Sequence, residues 1–307
     1  MAPNPIMWQP SAERVRASAM RRFMQAAGFE TYDQLYAWSI DDSPAFWESL
    51  CAFCDVEFDE QPTTVVARPN NIMDAGWFEG SRLNFAQHLL RHGGDEAAVV
   101  FFGEDGGRQE LSRDALRAQV AAVAAGLRAA GVTKGDRVGA FLPNCPEAIV
   151  AMLATTSIGA IWSSCSPDFG VNGVVDRFGQ IEPKILFAVN GYYYNGKTCD
   201  TRPTVKGVVA AVDSIATTVM VPFATDLETE SSARNVVAWD DFAQYGEPLA
   251  FEPVDFDHPL YVMYSSGTTG VPKCIVHGHG GTLLQHLKEH VLHTDVREGD
   301  RLFYFTT

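Results

Sequence analysis

The sequence predicts an α/β protein built on mixed, mostly parallel sheets covered by helices, and three observations carry that expectation. From about residue 96, apolar runs of strand length alternate with helical patterns, which demands crossover connections and hence parallel strands. Cap and turn residues punctuate the alternation at the right places, notably "GEDGG", Ser112, Gly131 and Pro146. Finally, a loop of glycines and hydroxyls follows the apolar run 259–263, at the end of a strand read over 259–266, where open α/β sheets hold their ligands.

In chain order, residues 1 to about 90 are rich in aromatics (Trp8, Phe23, Phe29, Tyr36, Trp38, Phe46, Trp47, Trp77 and others) and read as helices joined by irregular turns. Arg14, Arg16, Arg21 and Arg22 fall on an amphipathic helix whose apolar face is expected to dock on the body of the protein. A mitochondrial transit peptide would carry such arginines too. Cys51 and Cys54 form a C-x-x-C among Phe46, Trp47, Leu50 and Phe53 at helical spacing, and no second pair follows at zinc-ribbon spacing. They are expected in a core rather than on a metal or in redox chemistry.

Beyond residue 96, "AAVVFF" (97–102) reads as a strand, and Ser112 N-caps a helix that Gly131 stops. "DRVGAFL" (136–142) is a strand, and Pro146 suits the first turn of the helix after it. "IWSSC" (161–165), "NGVVDRFGQI" (172–181) and "KILFAV" (184–189) continue as strand, helix and strand. The stretch 190–255 is less regular, with "VKGVVAAV" (205–212) and "NVVAW" (235–239) as candidate strands.

A chain of 307 residues, 46% hydrophobic and 20% charged, suffices for one large or two ordinary domains. Its net charge of −15 lacks the basic footprint of a nucleic-acid binder. The longest apolar stretch, 148–162, contains Thr155, Thr156 and Ser157 and is too short for a bilayer. Six cysteines without a secretory signal predict reduced thiols, so a soluble cytoplasmic protein is expected.

The loop itself reads "YSSGTTGVPK" over 264–273. Glycines let the backbone approach a ligand, hydroxyls and N–H groups supply donors, and Lys273 adds a point charge, a combination suited to a polyphosphate. It is not a Walker A loop, since only Thr268 and Thr269 separate Gly267 from Gly270 and Pro272 precedes the lysine. A Rossmann fingerprint is absent as well. On composition alone, a Ser/Thr/Gly surface turn stays open.

The order of residues closely resembles the phosphate-binding loop of the adenylate-forming superfamily, with Ser265 for the common threonine and Cys274 for the glycine after the lysine. "YDQLYAWSIDDSPAFWESL" and "NIMDAGWFEGSRLNFAQHLL" resemble the N-terminal segment of acyl-CoA synthetases of the acetyl-CoA synthetase type. "WSSCSPDFGVNGVVDRFGQIEPKILFAVNGYYYNGK" and "KCIVHGHGG" are most similar to the acetoacetate-using branch. The resemblance implies residues 1–95 as that aromatic-rich N-terminal segment, and 96–307 as the first part of the AMP-binding domain. It implies a carboxylate, acetoacetate, that attacks the α-phosphate of ATP in the presence of Mg²⁺, releasing pyrophosphate. Coenzyme A then displaces AMP from the acyl-adenylate. Ser265, Ser266, Gly267, Thr268, Thr269, Gly270 and Lys273 would hold the β- and γ-phosphates. No catalytic residue and no metal ligand is assigned. "WSSCSPDFG" (162–170) lies along a coenzyme A tunnel on one reading and is an ordinary strand-to-helix turn on the other.

Later family motifs do not occur in the 307 residues, including the small C-terminal lid domain with its lysine. The expectation is an N-terminal portion without complete catalysis. An acetyl- or propionyl-type synthetase and a non-catalytic nucleotide-binding or scaffold module are the alternatives. "HLKEH" (286–290) matches an inverted zinc-peptidase pattern, with Glu289 as base, but the bland reading is a helix that happens to carry histidines.

Overall fold

A computed structural model describes residues 6–68, 71, 73–265 and 270–304. The chain divides into two compact units, one of residues 1–81 with 281–307 and the other of residues 82–280.

The first unit holds the helices α1 (Ala12–Ala17), α2 (Ala19–Ala26), α3 (Tyr32–Asp41) and α4 (Ser43–Phe53), then an antiparallel hairpin of β1 (Thr64–Ala67) and β2 (Gly76–Glu79). Side chains fix the helix starts: Ser11, Ser18, Thr31 and Asp42 each accept a bond from a first-turn N–H, and Thr31 with Gln34 makes a full capping box. Phe23 and Met24 of α2, Leu35 of α3 and Phe46, Leu50 and Cys54 of α4 share one buried cluster with Leu292. The arginine-bearing stretch is two helices broken at Ser18: α2, with Arg21 and Arg22, docks by its apolar face, whereas α1, with Arg14 and Arg16, buries no residue. Cys51 and Cys54 are buried and not disulfide-bonded, and burial pushes the Cys51 thiol up to about 12, so both pack as small core residues.

In the second unit come β3 (Arg82–Leu83), α5 (Phe85–Leu89), the hairpin β4 (Ala97–Phe102) and β5 (Arg108–Ser112), and α6 (Arg113–Ala129). Ser112 accepts the Ala115 N–H at 3.1 Å, as its capping role predicts. There follow β6 (Arg137–Phe141), α7 (Pro146–Ser157), β7 (Ile161–Cys165), α8 (Val171–Ile181), β8 (Ile185–Val189), the hairpin β9 (Gly191–Tyr194) and β10 (Lys197–Asp200), and α9 (Arg202–Ala211). After β11 (Thr217–Val221), β12 (Val236–Ala238), α10 (Trp239–Phe242) and β13 (Val254–Asp255) lie β14 (Pro259–Ser265) and β15 (Lys273–Gly278). Helix α11 (His279–Leu287) begins at the end of this unit and, from Gly281, belongs with its π-helical continuation, Lys288–His293, to the first.

Seven strands form the main sheet, in the order β12-β11-β8-β6-β7-β14-β15. All neighbours are parallel except the edge pair β14 and β15. Alternate side chains of β8 point into different cores: Ile185, Phe187 and Val189 join α6, α7 and α10, while Leu186 and Ala188 join α8 and α9. The sheet is therefore covered on both faces, as the alternating pattern implies.

Two local expectations need correcting. "VKGVVAAV" is most of helix α9, not a strand: Val205, Val208, Val209 and Val212 recur at helical spacing and all enter one core. Pro203 in the first helical turn agrees with that state. A run of valines outweighs its β-propensity when its period matches the surface it covers. β1 and β2 stand where helices and irregular turns were expected, and β3, β5, β9, β10, β11 ("TTVMV") and β13 carry no strand expectation from the sequence.

Candidate functional site

Strand β14 ends in the loop. Tyr264 and Ser265 are its last residues, Gly270 sits at φ +100°, and Lys273 opens β15. Ser266, Gly267, Thr268 and Thr269 lie outside the described residues. Ser265 pairs across the ladder with Lys273, so the two candidate ligand groups that flank the loop are cross-strand partners at its neck. A side chain at Gly270 would be strained by that φ, while its Cβ would meet nothing within 4 Å among the described residues. Lys273 is exposed. The antiparallel return of "KCIVHG" is a finding of the structure, since a six-residue run with exposed side chains announces no partner strand.

The base of the loop is held by β7 and α8. Ser163 Oγ donates to the Val262 carbonyl at 2.9 Å and lies 3.0 Å from the Tyr264 hydroxyl. Burial raises the Tyr264 hydroxyl above its ordinary range, against the lowering effect of the Ser163 bond, so it stays protonated. The Arg177 guanidinium stands 4.3 Å from the Phe169 ring centre and 5.6 Å from that of Tyr264. Gln180 Nε2 donates to the Pro272 carbonyl at 2.9 Å, and the Cys274 thiol lies 3.6 Å from Gln180 Oε1. Neither α8 residue carries a sequence motif. Only the fold brings them to the loop.

Beside it, the carboxyl ends of β6 and β7, with Tyr192 and Tyr194 of β9, open a cavity of about 540 Å³, lined also by Asn144, Ser164, Cys165, Ser166 and Asp168. The chain leaves β6 for α7 on one face of the sheet and β7 for α8 on the other, so the crevice lies at a switch point. "WSSCSPDFG" supplies one wall, with Asp168 in the turn before α8 and Gly170 at its N-cap. Burial pushes the Cys165 thiol up to about 12, which removes it as a nucleophile.

His279 follows the β15 edge and is fully buried. Its Nδ1 accepts the Phe85 N–H at 3.2 Å, the first residue of α5, which makes it the neutral Nε2–H tautomer. Burial, and then the neighbouring His258, lower it to about 3. The rings of His286 and His290 are 6.0 Å apart, across the change from α- to π-helix. Glu289 is engaged with Lys288 Nζ (2.7 Å) and Gln285 Nε2 (3.2 Å). Among the described residues, no three His, Cys, Asp or Glu side chains gather as a metal site, and no helix is long and apolar enough to cross a membrane.

Residues 85–307 match the family model "AMP-binding enzyme", and residues 32–89 match "Acetyl-coenzyme A synthetase N-terminus". Acetoacetyl-coenzyme A synthetase of Rhizobium meliloti is 47% identical over 98% of this chain and 47% of its own length. The Rattus norvegicus acetoacetyl-CoA synthetase is 43% identical with the same coverage. A malonamoyl-CoA synthetase of Penicillium aethiopicum is 37% identical over 98% of this chain and 44% of its own. The solved acetoacetyl-CoA synthetase from Streptomyces lividans superposes with a TM-score of 0.92 at 40% identity, covering 99% of this chain and 48% of that one. The chain spans about half the length of the curated relatives it matches. With well over half of its residues in that one family model, on the doubly covered sheet described above, the chain belongs to the AMP-binding enzyme family.

Proposed function

We propose that this chain contributes the ATP-handling part of a cytoplasmic acid–thiol ligase that converts acetoacetate and coenzyme A into acetoacetyl-CoA. The observation that carries the reading is the segment 264–273, "YSSGTTGVPK", at the carboxyl end of β14 in a member of the AMP-binding family. A carboxylate oxygen of acetoacetate attacks the α-phosphorus of ATP, and the bond to the β,γ-pyrophosphate breaks. The coenzyme A thiolate then attacks the acyl carbon, and AMP leaves with the electron pair.

Within this scheme Ser265, Ser266, Gly267, Thr268, Thr269, Gly270 and Lys273 cradle the β- and γ-phosphates, so that charge on the departing pyrophosphate is met as it develops. The positive φ of Gly270 and the exposed Lys273 at the neck suit a ligand with several anionic oxygens. Mg²⁺, bound with the nucleotide, would share that neutralisation. The crevice beside the loop is offered to coenzyme A, with Ser164, Ser166 and Asp168 as polar wall.

The test is ATP–pyrophosphate exchange by the complete gene product, with acetoacetate set against acetate and propionate. Exchange that depends on acetoacetate is expected. Exchange with acetate or propionate alone moves the protein to another short-chain acid, and none with any acid leaves a binding or scaffold module. Lys273→Ala should lower exchange at subsaturating ATP about tenfold or more, the worth of one charge-assisted hydrogen bond.

A further inference from the structure

We infer that α8 is a clamp on both limbs of the loop, with Arg177 and Gln180 as positioning residues for the polyphosphate. The two stand three apart on the helix and so share a face. Arg177 takes the entry limb: its guanidinium lies over the Tyr264 ring and more closely over Phe169, and its Nη1 is steered by a bond to the Gly173 carbonyl (2.6 Å). Gln180 takes the exit limb. Its Nε2 donates to the Pro272 carbonyl while a second bond, to the Asp176 carbonyl (2.6 Å), fixes the side chain on its own helix. Its Oε1 is left to face the Cys274 thiol.

The helix is a firm base for such a grip, because Val174 and Phe178 are fully buried and Ile181 nearly so. Strand β15, by contrast, is exposed from Lys273 to His277 and has the sheet's edge on its far side. A loop whose return strand has so little packing is expected to rely on α8 for its position. Ordering it before the ligand arrives lowers the cost of binding. Cys274 fits the same picture: in place of the usual glycine, its thiol gives Gln180 a second partner on the exit limb. Through Phe169 the helix also meets the turn that walls the crevice, so one rigid element serves both halves of the candidate site.

This inference rests on the ligase reading for its kinetic test, and a second measurement frees it from that reading. In the complete gene product, Arg177→Met should raise KM for ATP about tenfold and Gln180→Ala about threefold. KM for the acid should stay within twofold, and Arg177→Lys should recover part of the loss. Lys206→Ala, on the exposed side of α9, should change nothing. Amide hydrogen exchange on the peptide 264–276, without ligand, should quicken several-fold in Arg177→Met and Gln180→Ala at unchanged melting temperature. Unchanged KM for ATP with unchanged exchange would overturn the clamp, as would a uniform rise in exchange over the whole chain. If the wild type shows no ATP-dependent exchange of pyrophosphate, the ligase reading fails, and the amide exchange decides the clamp alone.

Discussion

The inner strands of the main sheet and its edge hairpin are built to opposite rules. Every residue of β8 is buried, and its side chains alternate between two cores. Residues Lys273 to His277 of β15 are all exposed, although they belong to the same sheet. The inner strands stabilise the fold, and the edge carries the loop. The candidate loop returns on the less encumbered strand, where a substitution disturbs neither core. The division predicts that damage to one region should leave the other's role intact.

The largest effect is expected inside. Phe187 has no exposed surface, and its ring meets Trp239 and Phe242 at 5.8 and 5.7 Å, near edge-on. Phe187→Ala should cost about 3–5 kcal/mol in urea unfolding, from lost transfer energy and a cavity that the two neighbouring rings cannot close. A loss below about 1 kcal/mol would mean that the two-core description is wrong.

A smaller effect, at the seam between the two regions, depends on pH. His279 follows the edge strand directly but is buried like an inner residue. Its ordinary value of 6.5 falls to about 3 in the fold, for reasons of burial first. Between those values the unfolded chain binds a proton that the folded one refuses, so stability is lost as pH falls below 6.5. At pH 5 the loss should approach about 2 kcal/mol, from 1.36 kcal/mol per unit. His279→Asn, which keeps an acceptor without titrating, should flatten that slope relative to the wild type. Parallel pH curves for the two proteins would remove His279 from the account.

The inner region was far more legible in the sequence than the edge. Strands β6, β7 and β8 and helices α6, α7 and α8 announce themselves because period, cap and turn signals are local. Helix α9 was misread because valine's β-propensity is local too, whereas the core that exploits its helical period is not. The loop's residue order was legible, and with it the polyphosphate reading. The pairing of Ser265 with Lys273, and the reach of Arg177 and Gln180 to the loop, were not. The contacts of Arg177 and Gln180 join segments about ninety residues apart, and no local pattern encodes them.

The same comparison can be drawn with one substitution made twice. Val219 of β11 has no exposed surface, whereas Val276 of β15 is 57% exposed and stands opposite Val262. Threonine keeps the branched shape and the strand preference of valine, so backbone and volume change little at either site. What differs is the hydroxyl. At 219 it would be buried among Val138, Phe187 and their neighbours, with its hydration lost, at a cost of about 1–3 kcal/mol. At 276 it meets water, and the change should stay within about 0.5 kcal/mol. Melting curves of Val219→Thr and Val276→Thr therefore measure how far the edge is uncoupled from the core. Equal losses at both positions would show that β15 is held as firmly as β11, and the loop it carries would then need no clamp from α8.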